Sequence, residues 1–553
     1  MRKITKNILA VALATTTCAS VALTTGCGGG GSTGGGGNVD QSKAQLYVSN
    51  FNGGVGNEWL NKVINRFCEE YKDFKFTDDT VGVQIWVDNH TNDGSKIEAS
   101  IEGAQQSVYF LEQTTYYNFV NSDLLLDITD MVQEDLTKYG EDQSIEDKLT
   151  KEQKDFFKTS EGKYYAIPHY EGVYGITYDA DLFDAQKLYF GSDGKLGKQS
   201  TDSGLGYGPN GKTGVIDGVD YSTDDGLPAT YEQFYTLCKT IKQRGMFPMT
   251  WSGLNKFYST LFTVAMKTDF EGLEQGTLMY TLEGTATKLV ESISDDGVVT
   301  YKAATPITES NASELYASAG GYYALKFMEN IIDNQWYDTT NGFNEAITQK
   351  GAQEIFLQSR YMSEITDVAM LVEGNWWMEE ATKVFNDMSD IPGTSKTERN
   401  LKFMPYPKAT QAQVGEKQTL LSANNTLAGI NANIAGDADK VRLAKMFLQY
   451  CETDESLIEF VETTNLFRGY QFDIPAARYD ALTPYAKSNV DMMRTSDIVY
   501  PYSATDAFYT HAATLAPISL FNVETGYQIP IVSFKDGVSA LNYFDKLKTK
   551  RIL

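Results

Sequence analysis

The octapeptide GYGPNGKT at residues 206–213 fits the template of a phosphate-binding loop: Gly, four free positions, then Gly-Lys-Thr. Such a loop works only between a buried strand and a helix, because the N–H groups of the helix N-terminus hold the phosphates. The flanks, GSDGKLGKQSTDSGL and GVIDGVDYSTDDG, offer neither, so the string reads as a loop tip built from turn residues. The same loop carries Asp193, Asp202, Asp217, Asp220, Asp224 and Asp225. Carboxylates suit calcium, but no stretch follows the ligand order of an EF-hand, so the reading is a solvated loop over 191–226, with calcium as the alternative. His90, His169 and His511 are scattered without zinc-motif spacing, so no metal or cofactor is expected.

Aromatic and acidic residues are more informative. In EGNWWMEE (373–380), a strand AMLV ends at Val372, Glu373 to Asn375 make a turn, and Trp376 and Trp377 begin a helix. That puts two indoles at the carboxyl end of a strand, where open α/β sheets bind ligands. Either ring can line a pocket or fill a core, Trp377 being the more core-like. In the segment PHYEGVYG, Glu171 can accept two hydrogen bonds from a ligand or join a salt bridge between lobes. Tyr170 and Tyr174 flank it. Asn52 and Glu112 follow the first and third strand candidates, and Trp251 in PMTWSG is a further aromatic surface or a core residue.

The elements that must position these groups follow from periodicity. AQLYVSNF (44–51), VGVQIWV (81–87) and SVYFLE (107–112) are strand candidates. EWLNKVINRFCEEYKDF places Leu60, Val63, Ile64, Phe67 and Tyr71 on one helical face. Strands alternating with helices predict an α/β architecture with parallel sheets. The run YYAIPHYEGVYGITYDADLF is too long for one interior strand and contains Pro168, so it reads as a crossover between lobes. FMPYPK, near residue 403, opens a second crossover. Helical patterns recur at 230–244 and 320–332. A strand and two capped helices follow Leu427: Val441, Ala444, Phe447, Leu448 and Cys451 share one face, and Thr453 or Asp454 caps the second helix. At 553 residues, a single core is not expected.

The chain's formal net charge of −26 argues against nucleic acid and anionic membrane surfaces as partners, while its 12% aromatic content suits neutral ring-shaped ligands. MRKITKN followed by ILAVALATTTCASVALTTG has the cationic and apolar regions of an export signal over residues 1–26. LTTGC then resembles the lipobox of bacterial lipoproteins, with Cys27 as the acceptor of diacylglycerol. Thr24 stands where the pattern usually has Leu, and simple cleavage beside a free Cys27 is the alternative. Residues 27–43 form a Gly/Ser-rich tether. Cys68, Cys238 and Cys451 lie in helical apolar patterns and are expected to be buried free thiols.

Taken in order, the segments SVYFLEQTTYYNFVNSDLLLDITDMV, GKYYAIPHYEGVYGITYDADLF, DDGLPATYEQFYTLCKTIK, AMLVEGNWWMEEA, FMPYPK and ADKVRLAKMFLQYCETDESLIEF resemble the carbohydrate-type extracellular solute-binding proteins of bacterial ABC importers, relatives of maltose-binding protein. The resemblance implies a two-lobe α/β fold of the periplasmic-binding-protein type II kind with ligand in the cleft. Lobe 1 would take 44–170 and 416–470. Lobe 2 would take 171–415, with an insert at 185–227, and 471–553. It also implies that Trp376 stacks on a sugar ring. The ligand set expected in the cleft is Trp376, Glu171, Tyr170, Tyr174, Trp251, Glu112, Asn52, Glu373 and Trp377. The expected protein is a non-enzymatic, monomeric receptor, lipid-anchored at the outer face of the cytoplasmic membrane, that delivers an oligosaccharide to permease subunits. A receptor for a non-sugar solute such as a peptide shares the fold. A secreted glycosidase would need a carboxylate pair such as Glu171 and Glu373 at a set separation.

Overall fold

The computed structural model describes residues 39–92, 94–112, 116–209, 211–212, 215–216, 219–220, 226–423, 426–501, 515–523 and 527–552. Cys27 and the export segment, His511, and Asp217, Asp224 and Asp225 lie outside the described residues.

Two open sheets organise the chain. The first has five strands in the order Val83–His90, Ala44–Phe51, Val108–Leu111, Leu427–Ile430 and Ala166–Pro168. The second has four, in the order Phe247–Thr250, Val368–Gly374, Tyr174–Asp179 and Leu401–Met404. Strands such as VYFL and VAMLVEG are buried along their whole length, as strands covered on both faces must be. Helix Glu58–Glu70 buries Trp59, Leu60, Val63, Ile64 and Phe67. Tyr71 is its C-cap and continues the stripe, its ring 4.6 Å from that of Phe67. Helices Ala438–Cys451 and Asp454–Thr464 pack against it. Thr453 caps the latter, accepting from the Ser456 N–H.

The expectation of parallel sheets holds only in part. Ala44–Phe51 runs parallel to both of its neighbours, and Phe247–Thr250 runs parallel to Val368–Gly374. Leu427–Ile430 and Tyr174–Asp179 are antiparallel to both of theirs. These are the strands through which the chain enters a sheet after crossing over, so they run against the strands linked by helical crossovers.

The 185–227 segment, expected to be an irregular loop, contains two short hairpins, Tyr189–Phe190 with Leu196–Lys198 and Val215–Ile216 with Val219–Asp220. The first described residues after GYGPNGKT, Val215–Ile216, are a two-residue strand and not a helix. Two further hairpins between Gly284 and Ile307 had no signal in the pattern of residues. Helix Phe257–Thr281 is broken at Gly272, whose φ of 77° suits glycine alone.

Three stretches join the sheets: Pro168 to Tyr174, Leu421 to Leu427, and the run from helix Asp454–Thr464 to helix Pro484–Thr495. They are tied to one another by Ala423 N–H donating to Gly172 O at 2.7 Å and Glu171 N–H donating to Phe467 O at 3.3 Å. Cys238 and Cys451 are buried and free, as expected. Cys68 is not: it is disulfide-bonded and only half-buried, because it sits at the edge of the stripe that Phe67 centres.

Candidate functional site

Residues from both sheets meet where the strands' carboxyl ends face the crossovers. From the first sheet come Glu112, directly after strand Val108–Leu111, and Tyr170 from the crossover. The Tyr170 hydroxyl hydrogen-bonds the Glu112 carboxylate. The loop after strand Ala44–Phe51 presses against this pair. A methyl group on Gly54 would lie 2.5 Å from the Tyr170 hydroxyl and 3.1 Å from Glu112 Oε1, so glycine permits the approach. Asn52 is exposed at the head of this loop.

From the second sheet come Glu373 and Gly374 at the end of their strand, Trp376 at the start of helix Trp377–Glu380, and Tyr174. The Trp376 ring meets Tyr174 edge-on, with centroids 5.3 Å apart, and Tyr174 meets Tyr258 in the same way at 5.9 Å. The Trp376 indole lies over the bare Cα of Gly374: a Cβ there would sit 2.1 Å from its ring. Its N–H serves Glu380, whose Oε2 also accepts from Gln353 Nε2 at 3.0 Å.

Electrostatically the two halves form one site. Burial raises the Glu112 pKa to about 8, with the charge of Glu380 adding to the effect. Burial likewise raises Glu373 and Glu380, which repel one another. The Tyr258 hydroxyl is raised by burial and then by the fields of Glu373, Glu380 and Glu112. Glu112 Oε1 and Gln353 Oε1 are buried with no hydrogen-bond partner, a costly state that a donor-bearing ligand would relieve.

Of the residues singled out in the sequence, Glu112, Tyr170, Tyr174, Glu373 and Trp376 are thus brought together. Trp251 and Trp377 are not. Trp251 is fully enclosed, donates to Gly342 O at 2.8 Å and packs on Tyr337. Trp377 is equally enclosed, donates to Thr177 Oγ1 at 2.9 Å and packs among Phe356, Phe385 and Tyr485. Both are core residues, because each indole N–H already has a partner inside its own lobe. Glu171 is turned into the crossing segments. Its Oε2 accepts from the Tyr500 hydroxyl at 2.7 Å, its side chain also bonds Ser422, and burial raises its pKa to about 7. It makes no salt bridge with any described residue. His169 is structural: Arg468 contacts it at Nδ1, 3.0 Å away, and also pairs with Glu452 at 3.1 Å.

Sequence reasoning missed Tyr258, Gln353 and Glu380. Glu380 stands four residues after Trp376 in EGNWWMEE, a helical spacing that could have found it. Tyr258 and Gln353 carry no local signal. Among the described residues, no group of three or more His, Cys, Asp or Glu could hold a metal ion, and no helix is long and apolar enough to cross a membrane.

Two lobes of mixed α/β structure, joined by three crossings with a polar–aromatic site between their sheets, make up the fold of the solute-binding proteins. The chain is similar in structure to a protein from a study of xylan utilization by the thermophilic bacterium Caldanaerobius polysaccharolyticus. The TM-score is 0.53 at 14% identity, over 91% of this chain and 99% of that one. It is also similar to the solute-binding protein RafE solved in complex with raffinose, with TM-score 0.51 at 12% identity over 92% and 100% of the two chains. A third is the GacH receptor of Streptomyces glaucescens, solved unliganded and with acarbose, with TM-score 0.50 at 13% identity over 92% and 97%. No family model and no curated protein sequence matches the chain.

Proposed function

We propose that this chain is an extracellular receptor that captures a carbohydrate, an oligosaccharide, between its lobes and hands it to the permease of an ABC importer. The observation that carries the reading is the inter-lobe site itself. Trp376, Tyr174 and Tyr258 are buried rings that parting of the lobes would bare to the C–H faces of a sugar, and Glu112 Oε1 is a buried acceptor with no partner. Support also comes from the fold shared with receptors whose structures hold raffinose and acarbose. Capture needs no covalent step: the lobes close by bending at the three crossings, where Glu171 and Tyr500 hold the segments together. In this reading the receptor is monomeric and works at the outer face of the membrane, close to its permease.

The test is a saccharide panel read by tryptophan fluorescence, small-angle scattering and product analysis. A saturable signal with compaction and no product supports capture. Turnover of any saccharide would make the protein a hydrolase, and saturable binding of peptides alone would make it a peptide receptor.

A further inference from the structure

Three buried acids in this chain are matched with buried cations. Asp179 pairs with Arg399 at 2.9 Å, Asp269 with Lys408 at 2.8 Å, and Glu452 with Arg468 at 3.1 Å. In each case the partner is supplied from within the fold, as the cost of burying a lone charge requires. The inter-lobe site has no such pair among the described residues, and neither has Glu171 in the crossing segments, but only the inter-lobe site gathers three acids. Glu112 and Glu373 are 3% and 2% exposed, and Glu380 is close enough to repel both. Among the described residues, no lysine or arginine forms an ion pair with any of the three. Lys350, which is exposed, lowers Glu380 through its charge without forming an ion pair.

The groups that do face the cluster are polar or aromatic. Gln353 donates to Glu380, the Glu373 carboxylate takes the Gly374 N–H at 3.0 Å, and Tyr170 bonds Glu112. The two unpartnered buried atoms here, Glu112 Oε1 and Gln353 Oε1, are both acceptors. Gln353, which is fully enclosed and belongs to a different helix, bonds both Glu373 and Glu380 and leaves its Oε1 without a partner. The π faces of Trp376, Tyr174 and Tyr258 beside the carboxylates add a surface that attracts cations as well as C–H groups.

We propose that the saccharide held between the lobes carries a protonated amine, an amino sugar with its nitrogen free, and that this ammonium lies among Glu112, Glu373 and Glu380. The assignment rests on the carbohydrate-receptor reading and narrows it. The ammonium would supply the missing cation and N–H donors for Glu112 Oε1 and Gln353 Oε1, while the pyranose lies along the aromatic rings. A neutral sugar would satisfy the acceptors and leave the acids in their protonated, uncharged form.

The test is calorimetric titration of the full-length protein with three probes of equal length: a free-amine glucosamine tetramer, the same tetramer N-acetylated, and maltotetraose. The free-amine tetramer is expected to bind at least about 10-fold more tightly than either neutral probe, the advantage of a charge-assisted contact in a dry site. Titrated at about pH 5.5, where the amine is already an ammonium and the buried carboxyls still hold their protons, in two buffers of different ionisation heat, it should release protons as those carboxyls ionise beside the ammonium, and the N-acetylated tetramer should not. Glu112→Gln and Glu380→Gln should each narrow the preference for the free amine, with thermal melting confirming a folded variant. The proton-release measurement on the unaltered protein stands even if a variant fails to fold. Equal or tighter binding of a neutral probe, or no proton release, overturns the amine assignment and leaves saccharide capture standing. If none of the three oligomers binds, both readings fall.

Discussion

Gly374→Ala is a substitution that moves one ring and little else. A Cβ at this position would lie 2.1, 2.3 and 2.3 Å from three atoms of the Trp376 indole. Carbon atoms rest at roughly 3.5–4.0 Å, so the ring must withdraw by about 1.5 Å or tilt. Gly374 has no left-handed backbone, so alanine adds no strain there, and its pairing with Tyr174 can persist. The expected loss of stability is therefore an overpacking cost of about 1–3 kcal/mol. If the displaced indole carries the ligand, the loss of a well-placed aromatic contact of about 0.5–1.5 kcal/mol weakens binding by roughly 2- to 12-fold. The assay is a fluorescence titration with the best-binding saccharide, run beside a urea melt of the same preparation. Loss of affinity with a modest change in stability is the expected pair. A variant that is measurably destabilised yet binds as before would show that the ring moved and the ligand did not notice, which refutes Trp376 as the platform.

Three further outcomes are expected. Stability should fall as pH rises from the ordinary carboxyl range near 4.5 towards 8, because folded Glu112, at about 8, holds its proton more tightly than the unfolded chain does. Glu112→Gln should flatten that slope in melts recorded across the window, whereas an unchanged slope would remove Glu112 as its source. Arg468→Ala should cost about 3–5 kcal/mol in urea unfolding, since it leaves Glu452 buried without its pair and empties the space beside Phe460. Thr453→Ala should cost about 1 kcal/mol in the same measurement through the lost N-cap, without changing saccharide affinity.

The elements that build each lobe were legible because their signals are local. The stripe Leu60, Val63, Ile64 and Phe67, the capped helix after Thr453, and the fully apolar strand before Glu373 each follow from the periodicity of a dozen residues or fewer. The ordered segments were also enough to expect two lobes with a cleft between them. Strand direction was less legible. Whether Leu427–Ile430 joins its sheet parallel or antiparallel depends on the side from which the chain arrives, which no window of residues records.

The site shows the same division more sharply. From the residues alone, EGNWWMEE announces two indoles after a strand, and both are present there. Only the fold decides that Trp377 turns inward to Thr177 while Trp376 lies over Gly374 towards Tyr174. Adjacent helical residues differ by about 100° in direction, and which direction is core depends on neighbours from distant parts of the chain. Glu171 looked like a ligand group in its short context but is turned to Ser422 and Tyr500, more than two hundred residues away, with Oε1 left unpartnered among the crossing segments. Local chemistry determines which groups are available. Long-range packing determines which of them are left without partners, and at Glu112 and Gln353 those unmet acceptors define what the molecule can hold.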